Sequence, residues 1–252
     1  MSQFMLSDAH TAQTSIKGKK VAITGGTTGI GRATAVLLAS EGAKVFVCGR
    51  NPDHLGDALE RIGEVGEGDG ISIDLAEKGS AERFFKEAEA YLGGLDVAVI
   101  NAAIPADGLS TMEADEVRYA VATDFTAYIM SAHAANERML AGDIILIGSM
   151  SAHSQGPDST VYAGMKAGIA GFAEALRREL GSKGIKVSLI EPGLVGADFQ
   201  DPEIPSDKQV ELINNEKMLR AEDIAVGIHY LLTQPSRTVV QQLVIVPRVQ
   251  DE

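Results

Sequence analysis

Tyr162 and Lys166 stand four residues apart in VYAGMKAG, residues 161–168, and acid–base chemistry is open to such a pair. Positions four apart share one face of a helix and can address a common point. A free phenol titrates near pH 10, too high for easy proton exchange at neutral pH, but a cation within about 4–6 Å stabilises the phenolate. Lysine, a compact charge on a flexible stem, suits that task. The spacing alone equally describes the surface of an ordinary amphipathic helix. Ser149 changes the balance: it lies thirteen residues before Tyr162, at the carboxyl end of the apolar run GDIILIGS, 142–149. Open α/β sheets bind their ligands at that end, and a serine hydroxyl there can hold a substrate oxygen while the tyrosine supplies or removes its proton. The thirteen-residue spacing favours Ser149 over Ser151, which is expected to face the other way.

A second group of residues suits a nucleotide. The run KKVAITGG, 19–26, leads directly into a turn carrying Gly25, Gly29 and Gly31, and helical period begins at Ile30. Glycines there allow tight bends and a close approach of main-chain N–H groups to a pyrophosphate, while the helix N-terminus adds partial positive charge. Thr27 and Thr28 can supply hydroxyl donors. The spacing is G-x3-G-x-G, not the G-x-G-x-x-G of the common dinucleotide fingerprint, so the turn by itself is a moderate signal. At the end of the next apolar run, in VCGRNPDHL, glycine stands where an acid would bind the 2′-hydroxyl of NAD, and Arg50 follows. A guanidinium takes phosphate oxygens in bidentate fashion, and Gly49 removes the charge and bulk that would exclude them, so NADP is favoured over NAD.

The elements that must position these residues are legible as alternating patterns. Seven short apolar runs read as strands, over 19–26, 43–49, 70–75, 95–103, 142–149, 185–193 and 241–247. Most are apolar along their whole length, as strands buried on both faces of a parallel sheet are. Helical period occupies 29–41, 52–64, 78–92, 112–140, 160–181 and 207–233, the last broken near EKML. Asp53, Asp115 and Asp223 stand where an N-cap or first-turn acid helps. The alternation predicts α/β architecture: a single Rossmann-type doubly wound domain, a seven-stranded parallel sheet with helices on both faces, over 18–252 after a flexible tail at 1–17.

Composition narrows the partners. With 252 residues, 45% of them hydrophobic and 23% charged, the chain has enough apolar mass for one large core. A formal net charge of -13 repels phosphate backbones and anionic lipid, which argues against nucleic-acid and membrane-surface roles and leaves small molecules and proteins. No apolar run approaches the roughly 20 residues of a membrane span and the N-terminal segment lacks signal-peptide character, so a cytoplasmic location is expected. The single cysteine, Cys48, reads as a buried small hydrophobe. The histidines lack metal-ligand spacing, so no metal is expected.

Taken in order, TGGTTGIG (24–31), DL (74–75), NAA (101–103), Ser149, YAGMK (162–166) and PGLVGAD (192–198) resemble the short-chain dehydrogenase/reductase family, over about 18–248. The resemblance implies NAD(P)-linked oxidation of alcohols or reduction of carbonyls, with Tyr162 as general acid/base, Lys166 lowering its pKa and holding the nicotinamide ribose, and Ser149 orienting the substrate oxygen. It also implies that Asp74, with Leu75, contacts the adenine, that Asn101 lines the cofactor, and that the main chain from Pro192 to Val195 faces the nicotinamide. Three positions depart from the family pattern. Asp124 stands where the family has the asparagine of a proton relay, Ile104 adds bulk beside the substrate, and Ala197 replaces a threonine that contacts the nicotinamide amide. Ile104, Met150, Val161, Leu194 and Phe199 are expected to wall a mostly apolar substrate pocket. Family members commonly pair through the helices at 112–140 and 160–181, which implies a homodimer or homotetramer. Two other readings stay open: a cofactor-binding regulator or scaffold with little turnover, motivated by Asp124, Ile104 and Ala197, and a non-redox lyase or epimerase using the same tyrosine and lysine.

Overall fold

In the computed structural model, which describes residues 13–153, 157–200 and 203–249, apolar runs and helical stretches alternate along the chain. The strands are β1 (Lys20–Thr24), β2 (Lys44–Gly49), β3 (Glu67–Ser72), β4 (Val97–Ile100), β5 (Gly142–Ile147), β6 (Ile185–Pro192), β7 (Val195–Gly196), β8 (Leu219–Arg220) and β9 (Gln242–Ile245). The helices are α1 (Gly29–Ser40), α2 (Pro52–Gly63), α3 (Ser80–Leu92), α4 (Ala114–Val121), α5 (Ala127–Asn136), α6 (Thr160–Leu180), α7 (Ser206–Asn214) and α8 (Ala221–Leu232). Seven strands form one parallel sheet in the order β3-β2-β1-β4-β5-β6-β9, and β7 and β8 form a separate parallel pair. The order reverses direction between β1 and β4, and that switch point opens the crevice in which doubly wound sheets bind ligands.

Alternation along the central strands divides the core into two layers. Ala22, Phe46, Ala98, Ile100, Ile144 and Leu146 face α3, α5 and α6, where Phe84, Phe85, Tyr128 and Ile169 are buried. Val21, Ile23, Val45, Val47, Val97 and Val99 face the opposite layer, which holds Leu38 of α1, Ile62 of α2 and Ile224 and Ile228 of α8. Central strands covered on both sides have no polar face to show, which is why their apolar runs carried the signal.

The short pair β7 and β8 adds to the seven expected strands, and the structure departs further from the sequence expectation at two elements. β3 occupies 67–72, not 70–75, and is built from EGDGIS, which has no apolar period. It lies at the sheet edge, and its glycines are packing requirements: a Cβ on Gly68 would fall 2.6 Å from Val45 Cγ2 and 2.7 Å from Ile62 Cγ2. The stretch 112–140 is not one helix but α4 and α5 joined by a π-helical turn at Ala122–Thr126. Such turns insert one residue into the helical ladder and recur at functional sites.

Of the expected tail, residues 1–12 lie outside the described residues. Thr14 donates its N–H to the Thr233 carbonyl at 2.9 Å and Ile16 is buried, so the chain is anchored against the end of α8 before residue 18. At α2, Asn51 is the N-cap, its side chain accepting the Asp53 and His54 N–H groups at 2.8 and 3.3 Å, and Asp53 lies in the first turn. Asn51→Ala is expected to lower the free energy of unfolding by about 1 kcal/mol, the usual effect of losing an N-cap; urea denaturation measures it, and no change would show α2 to be held by packing alone.

Candidate active site

The first crossover, β1 to α1, builds one end of a cleft of about 1570 Å³ that runs along the carboxyl ends of β1, β2, β4 and β5. Gly25 sits at φ +63°, a left-handed conformation that favours glycine. A Cβ on Gly31 would lie 2.0 Å from the Gly25 carbonyl oxygen, so the turn folds onto the helix only with hydrogen there. Thr28 caps α1 with extended backbone and no side-chain hydrogen bond, which leaves the first-turn N–H groups facing the cleft for an anion. Asn101 fastens β4 to this turn: its Nδ2 donates to the Thr24 and Gly25 carbonyls at 3.2 and 3.0 Å, and its N–H donates to Thr24 Oγ1 at 2.9 Å. Gly49 has a steric role besides the absence of an acid, because a Cβ there would fall 2.2 Å from Thr27 Oγ1. The glycine cradle, the uncapped helix and the exposed Arg50 beyond Gly49 together fit the pyrophosphate and adenosine parts of a dinucleotide.

The other end of the cleft carries Ser149, Tyr162 and Lys166. Ser149 follows β5, and α6 begins at Thr160 and brings Tyr162 and Lys166 to the same wall. Ser149 and Tyr162 both line the cleft, and the Ser149 hydroxyl favours the ionised form of the Tyr162 phenol. Lys166 is 2% exposed; its Nζ donates to the Ile147 carbonyl at 3.1 Å and to the Tyr128 hydroxyl at 3.5 Å, and lies 5.4 Å from the Tyr162 ring centroid. Tyr128, fully buried, also donates to the Ile147 carbonyl at 3.0 Å. Lys166 thus stands within reach of the Tyr162 ring, with its own hydrogen bonds going to Ile147 and Tyr128. Burial pushes the phenol well up, the Asp124 charge adds to that, and the Ser149 hydroxyl opposes it. The ammonium is turned toward Ile147 and Tyr128 behind the tyrosine. Burial lowers the Lys166 pKa, and Asp124 opposes that shift.

Asp124 lies in the π-helical turn, with 0% of its surface exposed. Its Oδ1 accepts the Ile104 N–H at 2.8 Å, while its buried Oδ2 has no hydrogen-bond partner in the protein. Burial raises its carboxyl to about 6, against the opposing effects of Lys166, the Ile104 N–H and Arg50. The carboxylate does not line the cleft. It stands behind it, fastening the turn after β4 through Ile104.

Most of the residues singled out from the sequence converge on this one cleft. Gly25, Thr27, Thr28, Gly29, Ile30, Arg50, Asp74, Leu75 and Asn101 line the nucleotide end, and Ile104, Ser149, Met150, Tyr162, Lys166, Pro192, Leu194, Val195 and Phe199 line the other. Gly31 and Asp124 support it from beneath. The Phe199 ring packs at 5.9 Å from that of Tyr162. Val161, expected in the same wall, packs instead against the cluster of Ala106, Ala120 and Met165. Ser151 does not face away from Ser149: its hydroxyl lies 3.1 Å from the Ser149 Oγ and its N–H donates to that oxygen. The chain turns into a 3₁₀ helix at Met150–Ala152, and residues two apart on an extended stretch share a face in any case. His153 is exposed, and its Nε2 lies 2.9 Å from the wholly buried Glu191 carboxylate. Cys48 is buried with its thiol pushed up to about 12, inert as a nucleophile. Among the described residues no cluster of metal-ligating side chains occurs, and no helix is long and apolar enough to cross a membrane.

Sequence reasoning missed three contributors. Tyr119 lines the nucleotide end, Tyr128 supports Lys166, and Glu191 braces the segment before Pro192. Each is joined to its partner across a long sequence gap, and no local spacing marks it.

Residues 19–208 match the family model described as short chain dehydrogenase. The chain is 31% identical over 242 residues to an uncharacterized oxidoreductase of Staphylococcus aureus, covering 93% of this chain and 99% of that one. It is also 31% identical over 225 residues to a 3-oxoacyl-(acyl-carrier-protein) reductase of Haemophilus influenzae, covering 86% and 91%. Among solved structures, a dehydrogenase/reductase from Sinorhizobium meliloti superposes with a TM-score of 0.83 at 29% identity, over 92% of this chain and 96% of that chain. With the family match spanning most of the sheet and its glycine turn, serine, tyrosine and lysine meeting in one cleft, this chain belongs to the short-chain dehydrogenase/reductase family of oxidoreductases.

Proposed function

We propose that the protein is an NADP(H)-dependent reductase or dehydrogenase of a small carbonyl or secondary alcohol, with Tyr162 as the general acid/base. The observation that carries this reading is the convergence of Ser149, Tyr162 and Lys166 on the same cleft as the glycine cradle and Arg50. When bound, the nicotinamide supplies or accepts the hydride. The chain's own residues do the rest. Thr27, Thr28 and the first turn of α1 take the pyrophosphate, and Arg50 takes the 2′-phosphate. The Ser149 hydroxyl holds the substrate oxygen, the Tyr162 hydroxyl gives it a proton in reduction or takes one in oxidation, and Phe199 with Leu194 excludes water. A phenol held protonated by burial favours reduction at neutral pH, and the name of the Haemophilus influenzae relative supports a carbonyl substrate. Occurrence as a homodimer or homotetramer in the cytoplasm belongs to the same proposal.

Cofactor choice tests it directly. NADPH is expected to be oxidised with a carbonyl panel at a kcat/KM at least about tenfold above that for NADH. Arg50→Ala is expected to remove about that factor for NADPH alone, as loss of a charge-assisted hydrogen bond does. Equal use of both cofactors by the unaltered enzyme would overturn the assignment of Arg50.

A further inference from the structure

Arg50 does not stand alone at the mouth of the nucleotide end. Its Nη1 donates to the Tyr119 hydroxyl at 2.6 Å, and its guanidinium carbon lies 5.8 Å from the Tyr119 ring centroid. The same hydroxyl donates to Asp74 Oδ2 at 2.7 Å. Asp74 is held at its other oxygen by the Ala76 N–H at 2.9 Å, and the Arg50 carbonyl accepts the Ser72 hydroxyl at 2.8 Å. Arg32 of α1 is paired with Asp57 at 2.5 Å. Three elements thus meet at one phenol: the end of β2 through Arg50, the segment after β3 through Asp74, and α4 through Tyr119, which is half-buried and lines the cleft.

We propose that Tyr119 is a positioning residue for cofactor choice, its hydroxyl presenting the Arg50 guanidinium to the 2′-phosphate of an NADP-type ribose and keeping that cation from pairing directly with Asp74. The proposal rests on the reading of Arg50 given above and goes beyond it in naming what aims the guanidinium. An exposed arginine is a long, mobile side chain, and ordering it on binding opposes affinity. A phenol that accepts from the guanidinium at Nη1 leaves the remaining N–H donors of the fork for phosphate oxygens. It also separates cation from carboxylate. Direct contact of Arg50 with Asp74 would neutralise the charge that the 2′-phosphate needs, whereas the intervening hydroxyl lets both face the same cleft. Burial and the hydrogen bond to Asp74 keep the Tyr119 phenol protonated, so it remains a donor to Asp74 across the working pH range.

Tyr119→Phe keeps the ring and removes only the bridge. With NADPH, NADH and adenosine 2′,5′-bisphosphate titrated by calorimetry, this variant is expected to bind NADPH and the bisphosphate about tenfold more weakly, with NADH affinity within twofold. In an Arg50→Ala background the same change is expected to have no further effect on NADPH, because the tyrosine acts through the arginine. Thermal melting reports whether the variant is folded, and Tyr119→His, which restores a donor and acceptor on a ring, is expected to recover part of the lost affinity. If Arg50→Ala weakens NADPH selectively but Tyr119→Phe does not, the role of Tyr119 falls and that of Arg50 stands. Equal weakening of NADPH and NADH by Tyr119→Phe would likewise overturn it, as a structural contribution of α4. If Arg50→Ala leaves the NADPH to NADH ratio unchanged, the reading of Arg50 falls and Tyr119 with it.

Discussion

Tyr162→Phe is expected to lower kcat by about 10²–10⁴-fold, the range that a positioned acid or base contributes, while NADPH affinity stays within a few-fold. The separation follows from the geometry. The ring packs at 5.9 Å from Phe199 and lies 5.4 Å from the Lys166 Nζ, contacts that phenylalanine retains, so the wall of the cleft keeps its shape. What disappears is the hydroxyl that, on the function proposed above, exchanges a proton with a substrate oxygen held at Ser149. A loss confined to kcat, with KM little changed, marks an interaction made in the transition state rather than in binding. Because burial and the Asp124 charge hold the phenol protonated, carbonyl reduction should run at neutral pH and alcohol oxidation should gain rate as pH rises. Steady-state kinetics in both directions, with calorimetry for NADPH, measure all three quantities. A variant within tenfold of the parent's kcat would remove Tyr162 from the proton transfer.

How much of this was legible before the structure depended on whether a residue's partners were near in sequence. β1, β2, β4, β5 and β6 were readable because strands covered on both faces have no alternative to continuous apolar composition. β3 was misplaced because its packing comes from the absence of side chains at Gly68 and Gly70, and missing atoms have no period. The π-helical turn at 122–126 adds a residue to a stretch whose helical pattern runs on through it, so α4 and α5 read as one helix. The same division holds in the site. Ser149, Tyr162, Lys166 and the glycine turn are ordered along the chain by strand ends and helix starts, and their convergence follows from the topology. Tyr119 is different: it reaches Arg50 across 69 residues and Asp74 across 45, and a tyrosine on an amphipathic helix carries no mark of that. Asp124 stood out by its identity alone. That its carboxyl is wholly buried, with one oxygen on Ile104 and the other unpartnered, is a property of the turn that holds it.

Asp124→Asn is expected to flatten a pH dependence that the parent protein shows through pH 6. The ordinary carboxyl value of 3.8 is raised to about 6 in the folded chain, chiefly by burial. The folded protein therefore keeps this proton where the unfolded chain has lost it. The associated stability is fully present below the ordinary value and is lost as pH rises through the folded one. The shift corresponds to about 3 kcal/mol between those limits. Asparagine carries no titration, so the difference in unfolding free energy between variant and parent should grow in the variant's favour by about that amount from acid pH to pH 7. Titrations common to both proteins cancel in the difference. Asn can keep the acceptor for the Ile104 N–H while removing the buried charge. Catalysis should respond in a linked way. Above pH 6 the Asp124 charge favours the Lys166 ammonium and, by repulsion, the protonated Tyr162. Without that charge both groups should give up protons at lower pH, so the rise in alcohol oxidation with pH should begin earlier in the variant. Urea denaturation from pH 4 to 7 and pH–rate profiles in the oxidative direction measure the two effects. Parallel stability curves for the two proteins would mean that Asp124 titrates at its ordinary value despite its burial.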